Sequence, residues 1–400
     1  MTSFIRSYAK YFVKMRIVAP LRAAFVMLFA PRPNRGGWER RMLIVNLEAL
    51  GDMVMFTGVL KHYRERFPEM HIVLAMKART GLEPFLCPAF VDEVVPVNYR
   101  RFAADPFYGY SVIVSLRRAG FRTVVNQDFS ASEVAGKFIA ISLGAEAVIG
   151  SDGLAVEHEH PFDIQQVKNQ RIVERRILPR YTAVVPTRSI KHTGDRLPNA
   201  ITYYAAIYEQ LAGGPADEYA PTLAVPDDAD AVLAKFGLTG RPYAVMNVSA
   251  SVTYRRWPTE RFVEAAQELI ARDITPVVIG APSDRGPAAA FAEQVPSCVN
   301  LAGKTSLPEL IALMAKCALV FTNDSSTVHL AVALKRPSLC ITGGGQFGMQ
   351  NDYGYADMNM WAYTRTDCYG DNFRCGDRNP TGEPSPCIAA VSAQQVRTKL

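Results

Sequence analysis

The chain has 400 residues, about half of them apolar and a fifth charged, enough to build two hydrophobic cores, because a single core stops growing well below this length. Seven of its 44 basic residues precede the first acidic one, Glu39, so the rest is close to electroneutral against 38 acidic residues. No interior basic run offers the phosphate-neutralising groove that nucleic acid needs, and seven cysteines without a disulfide framework point to a reducing compartment, the cytoplasm.

On a helix, Phe4, Tyr8, Tyr11, Met15 and Val18 would share one side and Arg6, Lys10 and Lys14 the other. That pattern suits either the headgroup layer of an anionic membrane or an arm packed on its own domain or a neighbouring subunit. The apolar run from Ile17 to Ala30 is short and broken by Pro20 and Arg22, too poor to cross a bilayer, and it lacks a small-residue cleavage motif. "APRPNRGG" reads as a linker by its Pro and Gly content. We therefore expect a basic segment and linker over 1–38, a first α/β domain over 39–225, and a second α/β domain with a cysteine-bearing tail over 226–400.

From Arg41 short apolar runs alternate with helical patterns: "MLIVN", a helix from Asp52 to Phe67, "HIVLAM", then "VIVSL" and "TVVN" as strands, and a helix near Glu133 to Leu143. After a Pro-rich acidic stretch the rhythm resumes with "YAVMNVS", a helix from Thr259 to Arg272, "TPVVIG", a second helix, "ALVFTND", a third helix and "SLCIT". Such alternation implies two parallel sheets with covering helices, and ligands of such sheets bind beyond the carboxyl ends of the strands.

Functional candidates therefore sit at strand ends. Asp52 follows Gly51 after the first strand, where it either caps a helix or takes a proton from a substrate. "NVSASVTYRRWP" puts Ser249, Arg255 and Arg256 after another strand, the guanidiniums either forking onto phosphate oxygens or lying in a solvated loop over Trp257. "GAPSDRG" opens at Gly280 and adds Asp284 as a partner for ribose hydroxyls. In "VFTNDSSTVHLAVAL", Asp324, Ser325, Ser326 and Thr327 open a helix that carries His329 in its first turn; the free N–H groups there suit a diphosphate, although N-capping by Asp324 or Ser325 explains the same residues. Gly343, Gly345 and Gly348 have G-x-G-x-x-G spacing, but no convincing helix follows, so a ligand-side loop is favoured over a nicotinamide site. His158 and His160 read as a solvated loop, and Cys368, Cys375 and Cys387 as a metal site short of a fourth ligand, as free thiols, or as a conditional disulfide.

"MLIVNLEALGDMVMFTGVLKHYRERFP", "RRWPTERFVEAAQEL", "NLAGKTSLPELIALMAKCALVFTNDSSTVHLAVALKRPSLCIT" and a tail ending "CIAAVSAQQV" together resemble glycosyltransferase family nine, the heptosyltransferases of lipopolysaccharide assembly. The resemblance implies a GT-B fold, two Rossmann-like domains facing across a cleft, the first (39–225) on the acceptor side and the second (226–400) binding the nucleotide sugar. It also implies inverting transfer from a nucleotide sugar, typically ADP-heptose, to a lipopolysaccharide core or other surface glycan, with no cofactor and no catalytic metal, at the cytoplasmic face of the inner membrane. It marks Asp52, in the family's L-G-D motif, as general base. Arg255 takes the basic position of K-x-W-P for the diphosphate, and Asp324 to Thr327 the Asp-led helix start. Ser326 and Thr327 stand where relatives usually have Gly and Pro, Glu48 replaces a frequent Ser, and "GGGQFG" replaces a G-P-T-D-P loop, so sugar and base stay open. The competing expectations are a sugar-nucleotide epimerase, a non-catalytic nucleotide-sugar or glycan-binding protein, and a nicotinamide oxidoreductase.

Overall fold

The computed structural model describes residues 29–128, 133–150, 181–183, 200–343, 358–367 and 383–400. The amphipathic residues of 1–28, His158 and His160, Gly345 and Gly348, and Cys368 and Cys375 lie outside the described residues. The chain divides into two units, one within Met1–Ala49, Lys61–Lys191 and Tyr204–Ala216, the other within Leu50–Leu60, His192–Tyr203 and Asp217–Leu400.

The first unit is built on strands β1 (Arg41–Asn46), β2 (His71–Lys77), β3 (Glu93–Val97), β4 (Thr123–Asn126), β5 (Ala147–Gly150) and β6 (Tyr181–Ala183), in the order β3-β2-β1-β4-β5-β6. All neighbours run parallel. A parallel sheet is covered on both faces, which is why "MLIVN" and "IVLAM" are continuous apolar runs and not alternating ones. Pro96 is tolerated because β3 is an edge strand. The longer helices are α1 (Leu50–Arg66), α2 (Pro106–Ala119), α3 (Glu133–Ser142) and α4 (Ala200–Ala212). Leu43, Val45, Val73 and Val124 of the sheet pack with Ile113 and Leu116 of α2 and Ile139 of α3.

One expectation fails here: "VIVSL" is not a strand but the middle of α2. Asp105 caps that helix by accepting from the N–H groups of Phe107 and Tyr108 at 3.0 and 3.1 Å, Pro106 occupies its first position, and Gly120 ends it with φ 72°. Those end signals outweigh the β-branched content of five residues.

The second unit repeats the plan. Strands β7 (Tyr243–Asn247), β8 (Thr275–Val278), β9 (Val299–Asn300), β10 (Leu319–Asn323), β11 (Ser338–Ile341) and β12 (Asn359–Ala362) form a parallel sheet in the order β12-β11-β10-β7-β8-β9. Its longer helices are α5 (Thr259–Ala271), α6 (Arg285–Gln294), α7 (Leu307–Lys316) and α8 (Ser326–Ala333). The first part of α1 belongs here too: Thr222 N donates to Thr57 Oγ1 at 3.0 Å, and a Cβ on Gly58 would lie 2.2 Å from the Tyr219 carbonyl oxygen. In each sheet the order reverses between the first and fourth strands, the switch point at which doubly wound sheets bind ligands. All four strands at these points, β1, β4, β7 and β10, end in a buried asparagine: Asn46, Asn126, Asn247 and Asn323.

Candidate functional site

In the second unit the strand-end asparagines tie three loops together. Asn247 Nδ2 donates to Thr327 Oγ1 at 2.9 Å and to Ser325 Oγ at 3.3 Å, while its Oδ1 accepts from Ser249 N at 3.1 Å. Asn323 Oδ1 accepts from Trp257 N at 2.9 Å, and its Nδ2 donates to the Ser249 carbonyl at 3.3 Å. Ser249 Oγ donates to Asp284 Oδ1 at 2.8 Å, and Asp284 Oδ2 accepts from Ala281 N at 2.8 Å. A Cβ on Gly280 would stand 2.8 Å from Asp284 Cβ, so only glycine admits this approach. The structure thus gathers Ser249, Gly280, Asp284, Ser325 and Thr327, with Asp284 engaged as a loop brace.

The arginine loop is fixed from below. Arg255 ends the 3-10 turn Thr253–Arg255 and is half-buried, and Arg256 Nε donates to the Ala250 carbonyl at 3.0 Å. Trp257 is buried against Phe262 and Phe321, and its Nε1 donates to the Val391 carbonyl at 2.8 Å. Arg261 Nη1 donates to the carbonyls of Ala389 and Val391, and Ser385 N to that of Tyr254. The end of the chain therefore clasps the loop that presents Arg255.

At α8 the capping role falls to Ser325, whose Oγ accepts from Thr327 N at 3.4 Å and lies 3.1 Å from Thr322 Oγ1. Asp324 stands outside the cap. It is buried, and its Oδ2 has no hydrogen-bond partner among the described residues, an expensive state for a carboxylate oxygen unless a donor reaches it. His329 is buried in the first turn; burial pushes its imidazole down to about 4, against the opposing charge of Asp324, so the ring is neutral near pH 7.

The first turn of α1 meets this turn within the second unit. A Cβ on Gly51 would lie 2.7 Å from His329 Cδ2, 3.3 Å from Nε2 and 3.4 Å from Ser326 Cα. The α1 N-cap is Ala49, with extended backbone and no side-chain cap bond, and half-buried Asp52 is the third helical residue. The N-cap reading of Asp52 is therefore set aside. The starts of α1 and α8, each the positive end of a helix dipole, thus come together, with Asp52 in the first turn of one and Asp324 just ahead of the other. Such a place binds an anion on the amides and offers a base to a neighbouring hydroxyl.

Sequence reasoning missed the counterpart in the first unit. Asp128, fully buried two residues beyond β4, accepts from Leu47 N in the β1–α1 connection, and Asn46 Oδ1 accepts from Glu48 N at 3.2 Å. Gly136 of α3 makes room, since a Cβ there would lie 1.9 Å from Asp128 Oδ2. The available signal was the recurrence of Asn followed by Asp after both fourth strands, "NQD" and "ND". Among the described residues no three His, Cys, Asp or Glu side chains group as a metal site, and Cys387 is a buried free thiol.

Residues 174–368 match the model of glycosyltransferase family 9 (heptosyltransferase). The lipooligosaccharide heptosyltransferase 2 of Haemophilus influenzae is 35% identical over 94 residues, 22% of this chain and 27% of that protein. The lipopolysaccharide heptosyltransferase 2 of Escherichia coli is 37% identical over the same shares. These alignments therefore span about a quarter of the relatives' length. Among solved structures, the E. coli ADP-heptose lipopolysaccharide heptosyltransferase II has a TM-score of 0.63 at 19% identity, covering 90% of this chain and 97% of that one. E. coli heptosyltransferase WaaC with ADP-2-deoxy-2-fluoro heptose has 0.60 at 18%, covering 90% and 98%. The architecture is GT-B.

Proposed function

We propose, from the match of residues 174–368 to glycosyltransferase family 9, that the chain transfers heptose from ADP-heptose to a lipopolysaccharide core or other surface glycan, with inversion. Asp52 takes the proton of the acceptor hydroxyl, whose oxygen forms the new bond to the anomeric carbon. The bond from that carbon to the diphosphate oxygen breaks on the opposite face, and its electron pair leaves with ADP. Arg255, Arg256 and the α8 opening at Ser325, Ser326 and Thr327 neutralise the charge that develops there, so the reading needs no metal. Asp324 and Asp284 meet donor hydroxyls, Ser249 and Gly280 hold their loops, and neutral His329 seats the turn carrying Gly51. The domains are proposed to divide at 225/226, and residues 1–30 to rest on the cytoplasmic face of the inner membrane.

The observation that carries the reading is the approach of Gly51 to His329 and Ser326, which sets the turn bearing Asp52 beside the amides of α8. The similar E. coli structures, one an ADP-heptose lipopolysaccharide heptosyltransferase and the other a heptosyltransferase with ADP-2-deoxy-2-fluoro heptose, support the choice of donor. In the test, ADP release and product are followed with ADP-heptose and a heptose-deficient core acceptor. Asp52→Asn should keep donor affinity and lose about 10²- to 10⁴-fold in turnover. Arg255→Ala should weaken donor binding as well as rate. Near-normal turnover by Asp52→Asn would remove it from the mechanism.

A further inference from the structure

Two aromatic side chains of the first unit face solvent: Phe107 is 85% exposed and Phe29 63%, the most exposed large hydrophobics among the described residues. Neither owes this to a loose element. Phe107 is the second residue of α2, held by the Asp105 cap through its own N–H. Phe29 is tied to the same helix, because Tyr110, one turn after Phe107, donates from Oη to the Phe29 carbonyl at 2.8 Å. Arg117 of α2 then grips the Pro31 carbonyl at 3.1 Å, and Asn34 N donates to the Arg117 carbonyl at 2.9 Å. The chain before Phe29, with five cations and no acidic residue, therefore joins the unit alongside the helix that bares Phe107. Exposed cations lie close by in the chain: Arg32 three residues after Phe29, and Arg100 and Arg101 just ahead of the Asp105 cap, with Arg101 also pairing with Asp105 at 3.1 Å.

We propose that Phe29 and Phe107 are the folded unit's own docking surface for an anionic bilayer, inserting among acyl chains while Arg32, Arg100 and Arg101 meet the headgroups. Aromatic rings beside cations are what an interfacial surface requires, and the charge selects anionic lipid over a second protein copy, which would bring the same cations to the same place. The inference rests on the proposed membrane contact of residues 1–30 and extends it to a fixed face. An acceptor anchored in that bilayer would then meet one side of the protein only.

Flotation of the full chain with vesicles of phosphatidylethanolamine and phosphatidylglycerol, or of phosphatidylcholine alone, tests this. Binding should need the anionic lipid, and Phe107→Ser should weaken it about tenfold with an unchanged melting temperature, because the side chain supports no core. Phe107→Trp should blue-shift on adding anionic vesicles and be quenched by brominated acyl chains. A tryptophan already blue-shifted without vesicles and indifferent to them would show a protein contact and overturn the proposal. Unchanged binding by Phe107→Ser, with binding lost in an Arg6, Lys10 and Lys14→Ser triple variant, would overturn this surface and leave the N-terminal contact standing. Wild-type protein that floats with neither vesicle would overturn both.

Discussion

Replacing Gly51 by alanine tests the packing on which the site depends. Alanine is the better helix former by about 0.8–1 kcal/mol, and Gly51 sits inside α1, so propensity alone predicts stabilisation. The structure predicts the reverse, since the new Cβ would lie 2.7 Å from His329 Cδ2, well inside contact distance. The ring cannot swing aside, because every residue of α8 from Thr327 to Ala333 is buried. Overpacking of this kind costs about 1–3 kcal/mol, so after the propensity gain the net loss should be up to about 2 kcal/mol, or up to about 8 °C in melting temperature for a unit of this size. Gly286 provides the control: it is likewise the second residue of its helix, but a Cβ there meets nothing within 4 Å. Gly286→Ala should therefore gain up to about 1 kcal/mol. Urea unfolding of both variants compares the signs, and a Gly51→Ala protein as stable as Gly286→Ala would refute the proposed approach of the two helix starts.

In the first unit, Gly136→Ala should cost about 2–4 kcal/mol by driving Asp128 off Leu47 N, and in a double-mutant cycle with Asp128→Ala that penalty should shrink. An undiminished cost would place the strain elsewhere. For His329, the folded imidazole titrates near 4 against 6.5 when unfolded, so its stabilisation is complete above pH 6.5 and is lost as pH falls toward 4. Between pH 7.5 and 5 that loss is about 2 kcal/mol. His329→Gln should flatten the difference between denaturation midpoints at those two pH values, and an unchanged slope would assign the acid sensitivity to other groups.

Periodicity made most of the strands and helices around the site legible, because parallel strands buried on both faces must be apolar throughout. The strand expected at "VIVSL" failed because a short β-branched run carries no period of its own, and the end signals at Asp105, Pro106 and Gly120 decided the matter. The division of labour at helix starts was equally opaque: Asp52, Asp324 and Ser325 are all competent N-cap residues by type, yet of the three only Ser325 occupies an N-cap position, since that position depends on a one-residue offset. Asp284, which reads as a ligand contact, is also seen bracing Ser249 and Ala281, a role that residue type does not announce. Asp128 went unnoticed because its partner Leu47 lies 81 residues away in sequence and comes near only once β4 pairs with β1.

The clasp between the chain's end and the arginine loop bears on how the protein is handled. Val391 serves Trp257 and Arg261 through a single carbonyl, and Val396 and Ile388 are packed in the same core. A purification tag appended after Leu400 leaves that knot tied, whereas trimming the gene back past Ser385 would untie it and slacken a loop some 130 positions upstream.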